Sequence, residues 1–239
     1  WRGRVMVVVL ETIIFGSCEY FAPRTTEIVK NIVGEKGSVF VATMADVGGC
    51  SEEDFILVLD FECAWDAPPV PREEEIIEFP SVLMRGGKVV DEIQMYVRTE
   101  ILQQIHPETT AITGITQEQV SGGLRLDAAL AKHEEWLRGH GVVGQGGVKT
   151  KPLMLATCGD FDGRMIQKQA KRMGLVVPPY LSEWVNIKEV YRYHFKKRGQ
   201  KGMAGMLKEQ GLELQGRHHS GIDDCRNLAG LVAHMLQRG

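Results

Sequence analysis

Among the 239 residues no two cysteines stand at C-x-x-C spacing. The five (Cys18, Cys50, Cys63, Cys158 and Cys225) leave one over in any full pairing. A zinc ribbon and a secreted disulfide framework are therefore both disfavoured, and a reducing compartment is expected. A basic excess is lacking too: 28 Lys and Arg stand against 31 Asp and Glu, for a formal charge of -3. No bulk positive field marks a nucleic-acid binder, so any such affinity must come from a local patch or from bound metal ions. Long apolar runs are also missing. Val5 to Leu10 follows Arg2 and Arg4 in the manner of a signal peptide, but Glu11 interrupts it and it is too short to span a bilayer. It reads as a buried strand or a presequence remnant. Trp1 is no natural initiator, which suggests truncation or processing. No internal repeat or low-complexity tract appears.

What is present is an ordinary globular balance, 44% hydrophobic and 25% charged, enough for a sizeable core. Residues 1–54 form an N-terminal extension of unassigned role, ending in the linker-like run Gly48 to Asp54. From Phe55 the pattern sharpens. Phe55-Ile56-Leu57-Val58-Leu59 reads as a strand buried on both faces. A proline-rich loop, Ala67 to Pro71, comes next. Ile76 to Met84 and Val89 to Val97 then flank Gly86-Gly87, a hairpin signal. Helical periodicity covers Leu126 to Arg138, and Leu153 to Ala156 suits a fourth strand. Helices are predicted over Phe161 to Met173, Met203 to Gln210, and from after Ser220 to about Leu236. The order β-β-β-α-β-α followed by more helices predicts an α/β layer fold with a mixed sheet.

Three acidic elements stand at the ends of these segments. Asp60 and Glu62 follow the buried strand, and alternation puts them on one face, ~7 Å apart. Two like charges there call for a cation, and hard oxygen ligands suit Mg²⁺ or Mn²⁺. The bland alternative is a strand running out into solvent. Asp160 and Asp162 follow the fourth strand, and either would also serve as a helix N-cap. His218-His219-Ser220-Gly221-Ile222-Asp223-Asp224 opens the last helix. Ser220 and Asp223 approximate a capping box there, which leaves Asp224 without a structural task.

In this chain order the segments resemble the DEDD exonucleases of the RNase H-like fold, in the subgroup whose third motif is H-x-x-x-x-D. More narrowly they are similar to the Eri-1 family of RNA exonucleases. The resemblance rests on Leu59 to Glu62, Glu75 to Pro80, Ile112 to Gln117, Thr157 to Asp162, Trp184 to Asn186 and Gly216 to Cys225, and spans about Phe55 to Gln237.

It implies a five-stranded mixed sheet flanked by helices over 55–239, and a 3′-to-5′ exoribonuclease that releases nucleoside 5′-monophosphates. It implies two Mg²⁺ ions about 3.5–4 Å apart, with Mn²⁺ also supporting activity. Asp60 would bridge both ions, Glu62 and Asp224 would complete one site, and Asp162 would hold the second. His219 would be the general base, a role that suits a side chain titrating near neutrality. Asp160 and His218 then fall back to structural readings. Substrate contacts are expected from Phe61, Thr113, Gly114, Ile115 and Trp184, with a core role as the alternative for Trp184 and a helix C-cap for Gly114. The basic and aromatic stretch Tyr191 to Lys201 suits single-stranded RNA. Lys168, Lys171 and Arg172 read as the solvent face of a helix. The expected partner is RNA with a free 3′ end, with no membrane and an intracellular location, in cytoplasm, nucleus or an organelle. A non-catalytic RNA-binding scaffold and a DNA 3′-5′ exonuclease are the alternatives.

Overall fold

The structure, a computed structural model, describes residues 32–33, 39–40, 53–66 and 73–238. The apolar run at 5–10, the proline loop at 67–71 and most of the 48–54 linker lie outside the described residues. Strands β1 (Ile32–Val33) and β2 (Val39–Phe40) form a small antiparallel pair.

β3 (Phe55–Leu59) is buried along its whole length, as its unbroken apolar run requires. It pairs antiparallel with β5 (Glu74–Arg85), Leu59 opposite Ser81. β4 (Glu62–Trp65) continues the same register, Glu62 opposite Glu78, and shifts only at a bulge between Glu62 and Cys63. β3 and β4 are thus two halves of one interrupted strand. The register sets Pro80 opposite Asp60, and proline has no N–H to give a ladder. The break falls there. β6 (Lys88–Tyr96) pairs with the other edge of β5 through a hairpin whose Gly86 and Gly87 have φ of 55° and 76°. Positive φ at both central positions is what a type I′ turn needs. β7 (Leu153–Thr157) lies parallel to β3, and β8 (Val185–Asn186) parallel to β7. Counting the interrupted strand once, the sheet is the expected five ribbons, ordered β6–β5–β3/β4–β7–β8.

Alternation along β3 divides the core. Phe55, Leu57, Leu59 and Phe61 pack on α3 (Leu126–Gly139) and α4 (Phe161–Arg172). Ile56 and Val58 face α5 (Ile187–His194), α6 (Met203–Glu209) and α7 (Gly221–Arg238). A third cluster, built on Ala64, Ile77 and Ile115, lies at the β4 end with α1 (Pro107–Thr113) and α2 (Gln117–Ser121). These two short helices escape sequence periodicity, being only seven and five residues long. His133 is fully buried in the first layer between Tyr180 Oη and Ser81 Oγ, each 3.0 Å away, and burial pushes its imidazole down to about 3.

The basic face of α4 is not simply solvated, as the sequence suggested. Lys168 pairs with Glu74 (3.3 Å), and Arg172 with Glu73 (3.0 Å) and buried Glu75 (3.2 Å). These contacts seam α4 to the start of β5. Among the described residues no helix is long and apolar enough to cross a membrane.

Candidate active site

Asp60 and Glu62 continue the face of β3 that carries Ile56 and Val58, so both carboxylates turn toward α7. That helix brings Asp224 on its first turn. From the opposite layer, α4 brings Asp162, whose Oδ1 accepts the backbone N–H of Phe61 (2.8 Å). The N–H is available because the strand is interrupted at this residue, so the same break that ends the ladder fixes the second-layer carboxylate. Asp162 and Asp224 are almost fully buried, at 2% and 3% exposure.

Four carboxylates so placed resist ionisation. Burial above all, then the charges of Asp162, Asp224 and Glu62, hold Asp60 well above the usual range, with Lys188 pulling it back. Glu62 is pushed up to about 9 by burial and by Glu78, Asp224 and Asp162. Burial raises Asp162 to about 7 against the N–H groups of Phe61 and its own backbone, and raises Asp224 to about 6 against the N–H of His219. Asp224 Oδ2 accepts that N–H (2.9 Å), while its buried Oδ1 has no hydrogen-bond partner. A buried orphan carboxylate oxygen is costly unless a cation meets it. The donor set is all oxygen and acidic, which fits a hard divalent ion.

The start of α7 is capped over long range. Glu78 on β5, itself 1% exposed, accepts from Gly221 N–H (3.1 Å), Ile222 N–H (3.3 Å) and Gln94 Nε2 (2.8 Å). Glu78 adds to the expected Ser220 start, where Ser220 O accepts Asp224 N–H (2.8 Å) and the Ser220 side chain bonds Asp223. Asp223 is structural as expected, accepting from Arg217 N–H (3.0 Å) and Arg226 Nη1 (2.9 Å). Gly221 allows the close fit, since a Cβ there would lie 2.7 Å from Asp60 O and 2.8 Å from Pro80 Cγ.

His219 is exposed and has φ of +65°. Partial desolvation, His218 and Arg217 together lower its pKa, favouring the neutral form that accepts a proton. Alternation along an extended segment would turn His218 away from His219, and the structure does not show this. The left-handed turn at His219 brings the two rings together, centroids 4.0 Å apart. Asp160 is structural, taking the indole N–H of Trp184 (3.0 Å).

The five expected substrate contacts fare differently. Phe61 is a core side chain edge-on to Phe79 at 4.9 Å. Thr113 is buried, bonded to Thr109 O (2.8 Å) and accepting from Ile115 N–H (3.1 Å), and Ile115 belongs to the third core cluster. Trp184 is 4% exposed against Gly163, where a Cβ would lie 2.2 Å from the indole, so burial favours its core reading over base stacking. Gly114 caps α1 with φ of +79°. The stretch from Tyr191 to Lys201 is likewise more self-satisfied than it looked. Tyr191 is buried with its hydroxyl on Glu209 (2.7 Å), Lys197 (3.5 Å) and Lys201 (2.6 Å) pair with the same Glu209, and Arg192 pairs with Glu189 (2.7 Å). Tyr193 remains exposed there, as does Phe161 beside Asp162.

Three residues that sequence reasoning passed over matter here. Glu78 sets the helix start, and Lys188 places its ammonium over Gly159, where it offsets the acidic charge. Arg217 reaches from the His219 loop to Ala111 O (2.9 Å) and Ile112 O (3.2 Å), tying that loop to the end of α1. Glu78 and Arg217 left a trace, as parts of the Glu75 to Pro80 and Gly216 to Cys225 segments, and Lys188 left none.

A family model described as exonuclease, of the RNase T type, matches residues 57–232. The chain belongs to this exonuclease family, one of divalent-metal-dependent nucleases with the RNase H-like fold. Among individual proteins it is 35% identical to ERI1 exoribonuclease 3 of Homo sapiens over 188 residues, 77% of this chain and 54% of the relative. It is 33% identical to the 3′-5′ exonuclease Snipper of Drosophila melanogaster over 77% of this chain and 70% of that protein. The solved nuclease domain of 3′hExo, a DEDDh family member bound to rAMP, superposes with a TM-score of 0.71 at 32% identity, covering 79% of this chain and 94% of that domain. The chain spans about half the length of the ERI1 relatives it matches.

Proposed function

We propose that this chain is a 3′-to-5′ exoribonuclease that hydrolyses RNA one nucleotide at a time from a free 3′ end and releases nucleoside 5′-monophosphates. The observation that carries the reading is the convergence of Asp60, Glu62, Asp162 and Asp224 at one interrupted strand, mutually repelling, with one buried oxygen left without a partner. A scaffold protein has no use for that arrangement, which lowers stability unless cations fill it.

Two Mg²⁺ ions, with Mn²⁺ as a substitute, would be held by these four carboxylates and would supply positive charge to the scissile phosphate and its leaving oxygen. The chain's own contribution is then positioning and proton transfer. Neutral His219 takes the proton of the attacking water and stays on a loop that Arg217 and Asp223 hold in place. Lys188 adds a fixed cation at the rim. The backbone at Thr113 to Ile115 is proposed to receive the terminal nucleotide, since Arg217 ties the residues just before it, Ala111 and Ile112, to the loop of the base. The relatives named as exoribonucleases support RNA over DNA as substrate.

The test is degradation of matched RNA and DNA oligonucleotides labelled at the 5′ end, with Mg²⁺ and with chelator. A ladder shortening from the 3′ end on RNA, abolished by chelator, is expected. Internal cuts, or equal rates with chelator, would overturn the proposal.

A further inference from the structure

A second set of donors sits beside the carboxylates. One ligand atom each from His218, His219 and Asp224 lies within 4.8 Å of the others, and both imidazoles are open to solvent while the carboxylate is buried. The histidine rings stand nearly face to face, tilted by 32°. That pairing is built in by the backbone. His219 takes φ of +65°, and Gly216, at φ of +70°, lies so close to Asp223 that a Cβ would meet its carboxylate at 2.4 Å. Arg217 fastens the loop on both sides, by its N–H to Asp223 and by its guanidinium to the end of α1. Independently of the histidines, Asp224 keeps its buried Oδ1 without a hydrogen-bond partner.

We propose that His218, His219 and Asp224 form a binding site for a borderline transition-metal ion, Zn²⁺ in the first instance, which shares Asp224 with the all-oxygen set and differs from it by its two imidazoles. Imidazole nitrogen suits zinc, whereas Mg²⁺ prefers oxygen and water. Two histidines and a carboxylate make a three-ligand set that leaves a fourth position for water. Ligands of a tetrahedral zinc with bonds of about 2.0–2.1 Å lie about 3.3 Å apart. The present donors must therefore draw in by about 1.5 Å or less, which rotation of two exposed imidazoles provides. Occupancy takes the lone pair of His219 and an oxygen of Asp224. Given the exonuclease reading above, on which this consequence rests, zinc at this site inhibits hydrolysis without resembling substrate.

The experiment titrates the purified chain with Zn²⁺ in excess Mg²⁺, by calorimetry, and repeats the titration with Co²⁺ to read its visible ligand-field absorption. The wild type and His218→Ala are compared. One zinc per chain that Mg²⁺ does not displace is expected, weakened at least about ten-fold in His218→Ala, with the Co²⁺ band lost. The zinc concentration that halves RNA hydrolysis, each protein measured against its own zinc-free rate, should rise by a similar factor. Equal zinc affinity in the two proteins, or ready displacement by Mg²⁺, would overturn the site. A thiolate charge-transfer band in the Co²⁺ spectrum would do the same, by pointing to cysteine. The binding arms need no RNA, so His218-dependent binding without inhibition supports the site and counts against His219 as the base.

Discussion

Replacing Glu62 by Gln should make the metal-free protein more stable while it destroys activity. Glu62 is raised from 4.5 to about 9, so the folded chain keeps a proton that the unfolded chain releases above 4.5. Between those values the folded state binds more protons, and stability falls as pH rises. At pH ~7.5 the mismatch is about three pH units at about 1.4 kcal/mol each, a ceiling of about 4 kcal/mol. Glu62 is only half-buried, and water and neighbouring carboxyls relax part of the cost, which leaves about 1–3 kcal/mol. Glutamine keeps the shape of the protonated acid and removes the proton linkage. For a domain of this size the gain corresponds to about 3–10 °C in melting temperature. Thermal unfolding in chelator, followed by circular dichroism at pH ~6 and pH ~8, should show the variant melting higher, and by more at the higher pH. Millimolar Mg²⁺ or Mn²⁺ should then raise the wild type more than the variant and narrow the gap. A variant that melts at or below the wild type in chelator, or a gap that does not widen with pH, would refute the account of the site as a repulsive cluster awaiting cations.

Asp60→Asn is expected to abolish hydrolysis with the far-ultraviolet dichroism intact; near-normal turnover in Mg²⁺ would remove Asp60 from the metal set. A blocked 3′ end should stop degradation and a blocked 5′ end should not, whereas cleavage of a circular RNA would refute the polarity. His219→Ala should cost about 10²-fold or more in rate, the scale of a lost general base, and His218→Ala only a few-fold in zinc-free buffer; equal losses would refute the assignment of the base. Gly221→Ala, whose Cβ has no room against Asp60 O and Pro80, should destabilise by about 1–3 kcal/mol in denaturant titration, and an unchanged midpoint would contradict the close fit.

Much of the sheet was legible because its segments carry strong local signals. Phe55 to Leu59 is an unbroken apolar run, Gly86-Gly87 fits one turn type, and α3, α4 and α7 show clear periodicity or end signals. Asp60 and Glu62 were legible as a pair for the same reason, since alternation along a strand is a local rule. What stayed hidden depends on partners far apart in the chain. Glu78 and Gly221 are 143 positions apart, and Arg217 and Ala111 are 106 apart, so no window of sequence reveals either contact. The pairing of His218 with His219 was not legible, because alternation assumes extended backbone and His219 is left-handed. Side chains such as Tyr191 and Ile115 looked available for RNA because composition shows what a residue can do, not whether the core has already claimed it.

The capping of α7 by Glu78 has a consequence for which changes the chain can accept. An α-helix advances about 100° per residue, and Glu78 fixes the phase of this one at Gly221 and Ile222 by gripping their amides from the sheet. Asp224 sits two positions beyond the second gripped amide. Inserting or deleting a single residue between Ile222 and Asp224 would swing the carboxylate about a quarter-turn away from Asp60 while leaving the composition nearly unchanged. The same edit near Arg238 would alter only the far end of the helix. Length here is therefore constrained more tightly than identity. Substitutions can drift along the exposed face of α7, but the count of residues between its anchor and its acid cannot.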